Sequence, residues 1–440
     1  MQETDVLILG GGAAGLACRA GLGDQRATLL LEKSAEVGGL LRVHRAGDYV
    51  FDTSVHVLFF RNPQLGEAVL SLLPQGVHSF ERRNLIWQSG STIPYPYQFN
   101  AHALPPEVRQ DCIARFLDNP HAQGSCGEDF RSWLLSQFGA GFFEHFFGPY
   151  NQKLYGVPPE ELEAAPMLWL IPADNEGAIR QGAEGPPDDP PRTECSYPRG
   201  QDGIHGIAKG LQELAGGPIL CGEEVVRVDP VQRCVTTASG LQVRYRDLVS
   251  SLPLPVVLGL IEGLPEELSR TMQSLRAQSV TMVQIGARRS GPALPAHWTY
   301  FPDPEVPFYR MTRLEKITPD MCPKGAAALM LECPGTEPPD RTSVLDFLAS
   351  IDVLHDRDDV EEFRTLAIPY AYVLFLKGFR QAVDAAMTYL GAHGIHPIGR
   401  YGAWQYLNIE KTIESGLRVA QDLTPQHTQS SDTLKRFGVT

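Results

Sequence analysis

Apolar positions at the start of the chain alternate between strand-like and helix-like runs. Residues 5–9 (DVLIL) are an apolar run, AAGLACRAGL has the small residues of a closely packed helix, and a second apolar run ends at Glu32. An apolar strand, a helix and a second apolar strand in this order are typical of a parallel βαβ unit. The pattern therefore predicts an α/β opening.

The middle of the chain has helical periodicity instead. Residues 106–147 are rich in phenylalanine, as in FRSWLLSQFGAGFFEHFF, and predict a helical subdomain. Further helices are predicted at 65–75 and 204–215, and a strand is predicted at 82–88. Residues 181–193 are rich in proline, glycine and acidic side chains, and are predicted to form a loop.

The second half of the chain is dominated by short runs of β-branched and apolar residues. Alternating strands of a hairpin are predicted by EEVVRVD, RCVTTA and QVRYRDLVSS. An antiparallel sheet is predicted by SVTMVQIGAR, HWTYFPD, PFYRMTRL and AAALMLEC. The chain then continues into a loop, YGAWQYLN, and a helix, IEKTIESGLRVAQDL.

Length and charge narrow the class of protein. The 440 residues exceed the usual size of one core, which predicts two or three domains. A net charge of −14 argues against nucleic acid or an anionic membrane as partner, so an anionic substrate requires a local cluster of Arg or Lys. No secretory signal or membrane-spanning run is evident, and the eight cysteines lack metal-binding spacing. We expect a cytoplasmic protein without a metal, of open oligomeric state.

The glycines after the first strand carry the first chemical signal. Gly10, Gly12 and Gly15 form G-x-G-x-x-G between a strand and a helix, and Glu32 ends the next strand. Glycines allow the backbone to approach a pyrophosphate, the helix N-terminus supplies N–H groups, and the acid accepts hydrogen bonds from a ribose. This context predicts a dinucleotide site.

Two further features favour FAD over NAD. A second glycine pair, Gly38-Gly39, follows the acid, and GRYGAWQYLNIEKTI places a glycine-rich loop before a helix whose N-terminus can face a flavin. The residues predicted to bind FAD are Gly10, Gly12, Ala13, Ala14, Gly15, Glu32, Lys33, Gly39, Leu40, Val226, Gly399, Arg400, Asn408 and Ile409.

The whole chain resembles the UDP-galactopyranose mutases, closer to the eukaryotic type, within the amine oxidase and protoporphyrinogen oxidase superfamily. The specific marks of the resemblance are YPYQ, NQKLYGVP, PFYR and GRYGAWQY. The resemblance implies a mixed α/β fold with a Rossmann-like two-dinucleotide-binding FAD domain (1–90 plus 195–275 plus 390–430). It also implies a helical subdomain (100–180) and an antiparallel-sheet substrate domain (276–388 with part of 80–100).

The resemblance also implies a reaction. Reduced flavin N5 attacks the anomeric carbon of a nucleotide sugar, and the sugar isomerises between pyranose and furanose without net redox change. NAD(P)H is a plausible external reductant. By resemblance the catalytic residues are His56, Arg310, Tyr406 and Arg400. By the same resemblance the substrate-binding residues are Tyr95, Gln98, Tyr155, Tyr300, Arg310, Tyr370 (with Tyr372 close by) and Tyr406.

His56 lies in FDTSVHVLFF, and a lone histidine among apolar residues is usually a core residue. The resemblance instead implies that His56 faces the flavin. Asp52, four residues before it, is a candidate to orient it.

Three departures from the family keep other functions open. Ser54 and Val55 replace a glycine pair before His56, and Val55 should resist a peptide flip. Leu170 stands where the family has a second arginine, for which Arg180 or Arg192 would have to substitute, and Tyr155 replaces a tryptophan. The alternatives are an FAD-dependent oxidoreductase of the amine oxidase or desaturase type, acting on a sugar-like or specialised metabolite, and a non-catalytic FAD-binding protein.

Overall fold

A computed structural model describes residues 1–122, 129–168, 171–172, 176–187, 193–424 and 431–439. Its helices are α1 (Ala13–Leu22), α2 (Pro63–Leu70), α3 (Pro106–Leu117), α4 (Phe130–Phe142), α5 (Gly148–Tyr155), α6 (Glu176–Glu184), α7 (His205–Ala215), α8 (Leu254–Gly259), α9 (Glu266–Thr271), α10 (Leu314–Ile317), α11 (Arg341–Ser350), α12 (Phe379–Ala392), α13 (Gly399–Gly402), α14 (Ile409–Asp422) and α15 (Asp432–Arg436).

The strands are β1 (Gln2–Glu3), β2 (Val6–Leu9), β3 (Thr28–Glu32), β4 (Val43–Ala46), β5 (Tyr49–Asp52), β6 (Val77–Glu81), β7 (Asn84–Gln88), β8 (Ser91–Pro94), β9 (Glu194–Pro198), β10 (Ile219–Cys221), β11 (Val225–Asp229), β12 (Cys234–Thr237), β13 (Gln242–Arg244), β14 (Asp247–Ser250), β15 (Ala277–Ala287), β16 (Trp298–Tyr300), β17 (Arg310–Arg313), β18 (Ala327–Pro334), β19 (Val360–Val373) and β20 (Ile395–Pro397).

A five-stranded parallel sheet gathers distant parts of the chain in the order β10-β3-β2-β14-β20. The side chains of β2 and β3 are all buried, as expected for a parallel sheet covered on both faces. Helix α1 packs against α14 and α7, so the two ends of the chain meet around the first βαβ unit. The predicted α/β opening is confirmed.

The predicted hairpin strand QVRYRDLVSS is divided in the structure. Strand β13 pairs with β12 and β1 in a small four-stranded sheet, whereas β14 lies at the centre of the parallel sheet. The prediction of one strand was wrong because Leu248 and Val249 are fully buried and require cover on both faces.

Most strands from the second half of the chain lie in a seven-stranded sheet with the order β19-β15-β18-β17-β16-β7-β8. All of its pairings are antiparallel except that of β16 with β7. The predicted antiparallel sheet is therefore confirmed, and the predicted strand at 82–88 joins its far side as β7.

The phenylalanine-rich region forms α3, α4, a π-helical turn at Phe143–Phe147 and α5. The loop predicted from residue 181 was wrong for its first residues, because α6 continues to Glu184. Gly182 explains this, since a Cβ atom there would lie 2.3 Å from the Phe99 carbonyl oxygen in the neighbouring segment. Residues 188–192 of that prediction lie outside the described residues.

No helix in the described ranges is long and apolar enough to cross a membrane. The same residues contain no group of three metal-ligating side chains, and the cysteines among them are free thiols.

Candidate active site

The loop between β2 and α1 forms a cradle made of backbone. Gly15 must be glycine, because a Cβ atom there would lie 2.0 Å from the Gly10 carbonyl oxygen. At Gly12, the residue before α1, a Cβ atom would meet nothing within 4 Å, and no side chain caps the helix. The N-terminus of α1 thus has no side-chain cap and has open space beside Gly12, which suits the binding of a phosphate.

Glu32 and the second glycine pair complete this cradle. The Glu32 carboxylate accepts hydrogen bonds from the N–H of Gly11 at 2.7 Å and of Ser34 at 2.9 Å, so its position at the end of β3 is fixed. Gly39 has a φ of +54°, and its Cβ position lies 3.3 Å from the Gly12 Cα atom. Both glycine loops and the acid thus meet at one place, as the sequence predicts.

The C-terminal segment closes against the same helix. A Cβ atom at Gly399 would lie 2.8 Å from that of Ala14. Two buried N–H groups of this segment, Nε of Arg400 and Nε1 of Trp404, have no hydrogen-bond partner among the described residues. An N–H cradle, a fixed carboxylate and unpartnered donors fit FAD, which is rich in acceptors.

Other predicted FAD contacts are placed around this cradle with differing exposure. Lys33 is exposed, Leu40 is half-buried and Val226 in β11 is 48% exposed. Asn408 precedes α14, where its side chain accepts a hydrogen bond from the Lys411 N–H at 2.9 Å, and Ile409 begins the helix. Their contacts with FAD remain predictions.

His56 is a half-buried histidine near charged groups, not an isolated core residue. Its Nδ1 lies 2.6 Å from the Ser54 carbonyl oxygen. Because a carbonyl only accepts, Nδ1 carries the proton and Nε2 keeps a lone pair. Burial lowers the pKa of His56 to about 4, with Arg400 and Arg310 lowering it further against the effect of Glu332. His56 is therefore a neutral acceptor at physiological pH.

The residues that follow His56 are anchored at two points. Leu58 exchanges two backbone hydrogen bonds with Ser196, at 2.8 and 2.9 Å, and the buried Glu410 carboxylate accepts from the Asn62 N–H at 2.6 Å. Asp52 does not contact the His56 ring by hydrogen bond. Its fully buried carboxyl instead accepts from the Tyr197 hydroxyl at 2.6 Å, and burial raises the pKa of Asp52 to about 7.

Arg310 is held by a buried carboxylate that the sequence analysis missed. Its Nε donates to Glu332 Oε1 at 2.6 Å, and its Nη2 donates to the Tyr372 hydroxyl at 3.1 Å. Tyr309 and Tyr372 both donate to Glu332 Oε2, at 2.8 and 3.0 Å. The available signal was an acidic residue inside the otherwise apolar strand AALMLECP.

Arg400 lies over aromatic rings on the other side of this group. Its guanidinium carbon is 4.0 Å from the centroid of the Tyr406 ring and 5.8 Å from those of Tyr372 and Tyr401. A cation over tyrosine faces is stabilised by the ring quadrupole. We call Tyr155, Tyr309, Arg310, Glu332, Tyr372, Arg400 and Tyr406 the tyrosine–arginine cluster.

The cluster includes three of the predicted substrate residues, Tyr155, Arg310 and Tyr406, together with the alternative Tyr372. Tyr155 meets Tyr372 edge to face at 6.2 Å between ring centroids. Both candidates on β19 are half-buried against the apolar core, but Tyr372 alone of the two is hydrogen-bonded to Arg310 and Glu332 in the described part of the chain. Arg310, Tyr372, Arg400 and Tyr406 all remain half-buried, so the cluster keeps an open face.

Three further predicted substrate residues, Tyr95, Gln98 and Tyr300, are not members of the cluster. The rings of Tyr95 and Tyr300 are 5.4 Å apart, and Tyr150 meets Tyr300 at 5.6 Å. Gln98 is almost fully buried, and its side-chain amide donates to the Pro172 carbonyl at 2.8 Å. It is thus tied to the segment between α5 and α6.

Of the two proposed substitutes for the family's second arginine, the structure describes only Arg180. Arg180 forms an exposed ion pair with Glu176 within α6, at 2.6 Å. Leu170 and Arg192 lie outside the described residues.

The family model for flavin-containing amine oxidoreductases matches residues 13–424. The chain belongs to this family. Membership implies a flavin cofactor, in agreement with the glycine cradle.

Solved structures agree in fold. A reduced UDP-galactopyranose mutase matches with a TM-score of 0.88 and 23% identity, over 100% of this chain and 98% of that chain. A protein from Exiguobacterium sp. 255-15, described as a candidate protoporphyrinogen oxidase, matches with a TM-score of 0.71 and 15% identity, over 96% of this chain and 98% of that chain. A putrescine oxidase variant matches with a TM-score of 0.63 and 14% identity, over 96% of this chain and 99% of that chain. The family model thus confirms the predicted membership of the amine oxidase superfamily, and these structures confirm the predicted fold.

Proposed function

We propose that this flavoenzyme is a UDP-galactopyranose mutase-like enzyme that interconverts the pyranose and furanose forms of a nucleotide sugar without net redox change. The observation that supports it most is the tyrosine–arginine cluster itself, in which Arg310 is hydrogen-bonded to Tyr372 and Arg400 lies 4.0 Å from the centroid of the Tyr406 ring. Both arginines also help to lower the pKa of His56, which keeps its imidazole neutral. His56, Arg310 and Arg400 come from three separate parts of the chain, and all three are predicted from the mutase resemblance.

The side chains have distinct roles in this proposal. Arg310 and Arg400 bind the diphosphate, and the hydroxyl group of Tyr406 donates to its oxygens. Tyr372 donates its proton to Glu332 and accepts from Arg310, so it holds the arginine in place. His56 Nε2 accepts a hydrogen bond from a sugar hydroxyl, and Nδ1 stays bound to the Ser54 carbonyl. Reduced FAD, when bound, supplies the nucleophile for the anomeric carbon. The protein excludes water and holds the departing diphosphate close for recombination.

The test is product formation by the reduced enzyme. The FAD-loaded protein is reduced with dithionite under anaerobic conditions and incubated with UDP-galactose and other nucleotide sugars, and the products are separated by anion-exchange chromatography. We expect a furanose product with one of them, formed only with reduced flavin and with no flavin oxidation per turnover. Absence of a ring-form change across the panel would overturn the proposal.

A second function is favoured by one observation. Ser54 and Val55 replace the glycine pair beside His56, and Leu58 and Glu410 anchor the following residues, so the loop is held more firmly than the mutase resemblance implies. A fixed loop suits an FAD-dependent oxidoreductase acting on a sugar-like metabolite. Anaerobic bleaching of oxidised flavin by such a substrate, rather than by NAD(P)H alone, would support this alternative.

The domain division is likewise a proposal. The parallel sheet collects strands from 1–90, 195–275 and 390–430, and the large sheet collects strands from 276–388 with part of 80–100. Limited proteolysis with and without FAD would test it. FAD should protect all three parts of the first domain together.

A further inference from the structure

A buried acid faces Arg310 directly across two neighbouring strands. Arg310 of β17 is the register partner of Glu332 of β18, and Glu332 is 3% exposed. Oε1 of the acid lies 2.5 Å from Arg310 Nη2 and accepts from Nε at 2.6 Å. Oε2 accepts from two tyrosine hydroxyls. Both carboxylate oxygens are thus satisfied by hydrogen-bond donors, one of them a guanidinium.

This pairing changes what Arg310 offers to a ligand. Its described hydrogen bonds use Nε and Nη2 and none uses Nη1. Burial lowers the pKa of Arg310, but Glu332 and the neighbouring tyrosines raise it well above the usual value, so the guanidinium is charged and largely neutralised in place. Arg400, by contrast, has aromatic neighbours and no described ion pair with a carboxylate. The cluster therefore presents less positive charge than its two arginines suggest.

We propose that Glu332 is a positioning residue that sets the specificity of the cluster through Arg310, so that it favours a diphosphate esterified at both ends over a free terminal phosphate. The inference rests on the proposed function. An esterified diphosphate carries one negative charge per phosphate, whereas a terminal phosphate carries about 1.5 to 2 at neutral pH. The fixed charge of Glu332 disfavours that extra charge.

This selectivity has a chemical use in a reversible reaction. When a nucleoside diphosphate leaves the sugar, its terminal phosphate gains charge, and two unpaired arginines would bind it more tightly than the substrate. Binding the leaving group too well slows its return. Glu332 limits the difference between the affinities for the nucleoside diphosphate and for the substrate, because its carboxylate occupies one side of the Arg310 guanidinium.

The first test compares two ligands on the FAD-loaded, oxidised enzyme, which does not turn over under the proposal. Dissociation constants for UDP and UDP-galactose are measured by calorimetry for the wild type, E332Q and the exposed-site control E337Q. We expect E332Q to tighten UDP by about ten-fold and UDP-galactose by less than about three-fold. E337Q should change neither. An unchanged ratio of the two constants in E332Q would overturn the proposal.

Two further arms keep the test decisive. In an R310Q background, E332Q should no longer lower the dissociation constant of UDP more than that of UDP-galactose. If E332Q still lowers it as much as in the wild type, Glu332 does not act through Arg310. If E332Q fails to fold, the wild type alone suffices, because UDP titrates with a pKa near 6 and UDP-galactose does not. UDP should then bind more tightly at pH 5.5 than at pH 7.5. UDP-galactose is the reference ligand, because any change in its binding between these pH values reports the titration of a protein group such as Asp52. The reverse trend would contradict the proposal.

Failure of the proposed function gives a different result. If the wild type binds neither nucleotide, the mutase proposal falls, and inorganic pyrophosphate replaces the nucleotides as probe. Tighter binding of pyrophosphate by E332Q than by the wild type would still support the role of Glu332. Equal binding would overturn it.

Discussion

The glycine cradle and the tyrosine–arginine cluster are built in opposite ways. The cradle uses backbone groups within the first 39 residues, and its geometry follows from Gly10, Gly15 and Gly39. The cluster uses side chains from β17, β18, β19 and the segment before α14, which meet only in the folded protein. A local backbone site can be read from a motif, whereas a long-range side-chain site depends on pairings that no single motif contains.

The largest expected effect comes from removing the charge partner inside the cluster. Arg310→Gln leaves the Glu332 carboxylate buried without a cation, and a broken buried pair costs about 3–5 kcal/mol of unfolding free energy. Urea denaturation of the FAD-loaded protein measures it. The control is Arg180→Gln, which breaks an exposed pair and should cost at most about 1 kcal/mol. Equal small losses would mean that water reaches Glu332.

The cradle should respond to volume rather than to charge. Gly15→Ala forces a Cβ atom against the Gly10 carbonyl, and we expect a loss of about 3 kcal/mol together with loss of bound FAD. Gly12→Ala meets no protein atom, so the unfolding free energy of the FAD-free protein should change by less than about 0.5 kcal/mol while FAD affinity falls. Thermal melts and flavin fluorescence separate the two. If both variants lost the same unfolding free energy and the same FAD affinity, the cradle would not have the geometry described here.

The cradle and the cluster also differ in how much of each could be predicted from the sequence. The βαβ opening, Glu32 and both glycine loops follow from local spacing, and the structure brings them together. Glu332 could not be predicted, because its role depends on the register of β17 with β18, which places it opposite Arg310. The preference for Tyr372 over Tyr370 also depends on register. The boundary of α6 was missed because close packing of Gly182 on the Phe99 segment outweighs its local composition.

A pH effect of intermediate size is expected beside the His56 loop. Burial raises the pKa of Asp52 to about 7, so the folded state binds a proton that the unfolded state, with a pKa near 4, releases. This stability is fully present below about pH 4 and is lost as pH rises through 7, with a slope of up to about 1.4 kcal/mol per pH unit. Asp52→Asn should remove that slope between pH 5 and 7 in denaturation curves. An identical slope in both proteins would show that Asp52 is ionised throughout.

The smallest effect distinguishes two tyrosines on the same strand. Tyr372→Phe removes hydroxyl contacts with Arg310 and Glu332, and should weaken UDP binding by about 0.5–1.5 kcal/mol. Tyr370→Phe is the matched control and should change it by less than half as much. Calorimetric titration at fixed salt gives both values. A larger loss for the Tyr370 variant would reassign the substrate tyrosine.

The most direct test of the mutase account is a trapping experiment. The dithionite-reduced enzyme is mixed with UDP-galactose or another nucleotide sugar and cyanoborohydride, and the extracted FAD is weighed by mass spectrometry. The account predicts FAD heavier by one sugar residue, formed only with reduced flavin and lost in Arg310→Gln. Unmodified FAD with every nucleotide sugar, accompanied by bleaching of the oxidised flavin by another substrate, would contradict it and establish an oxidoreductase.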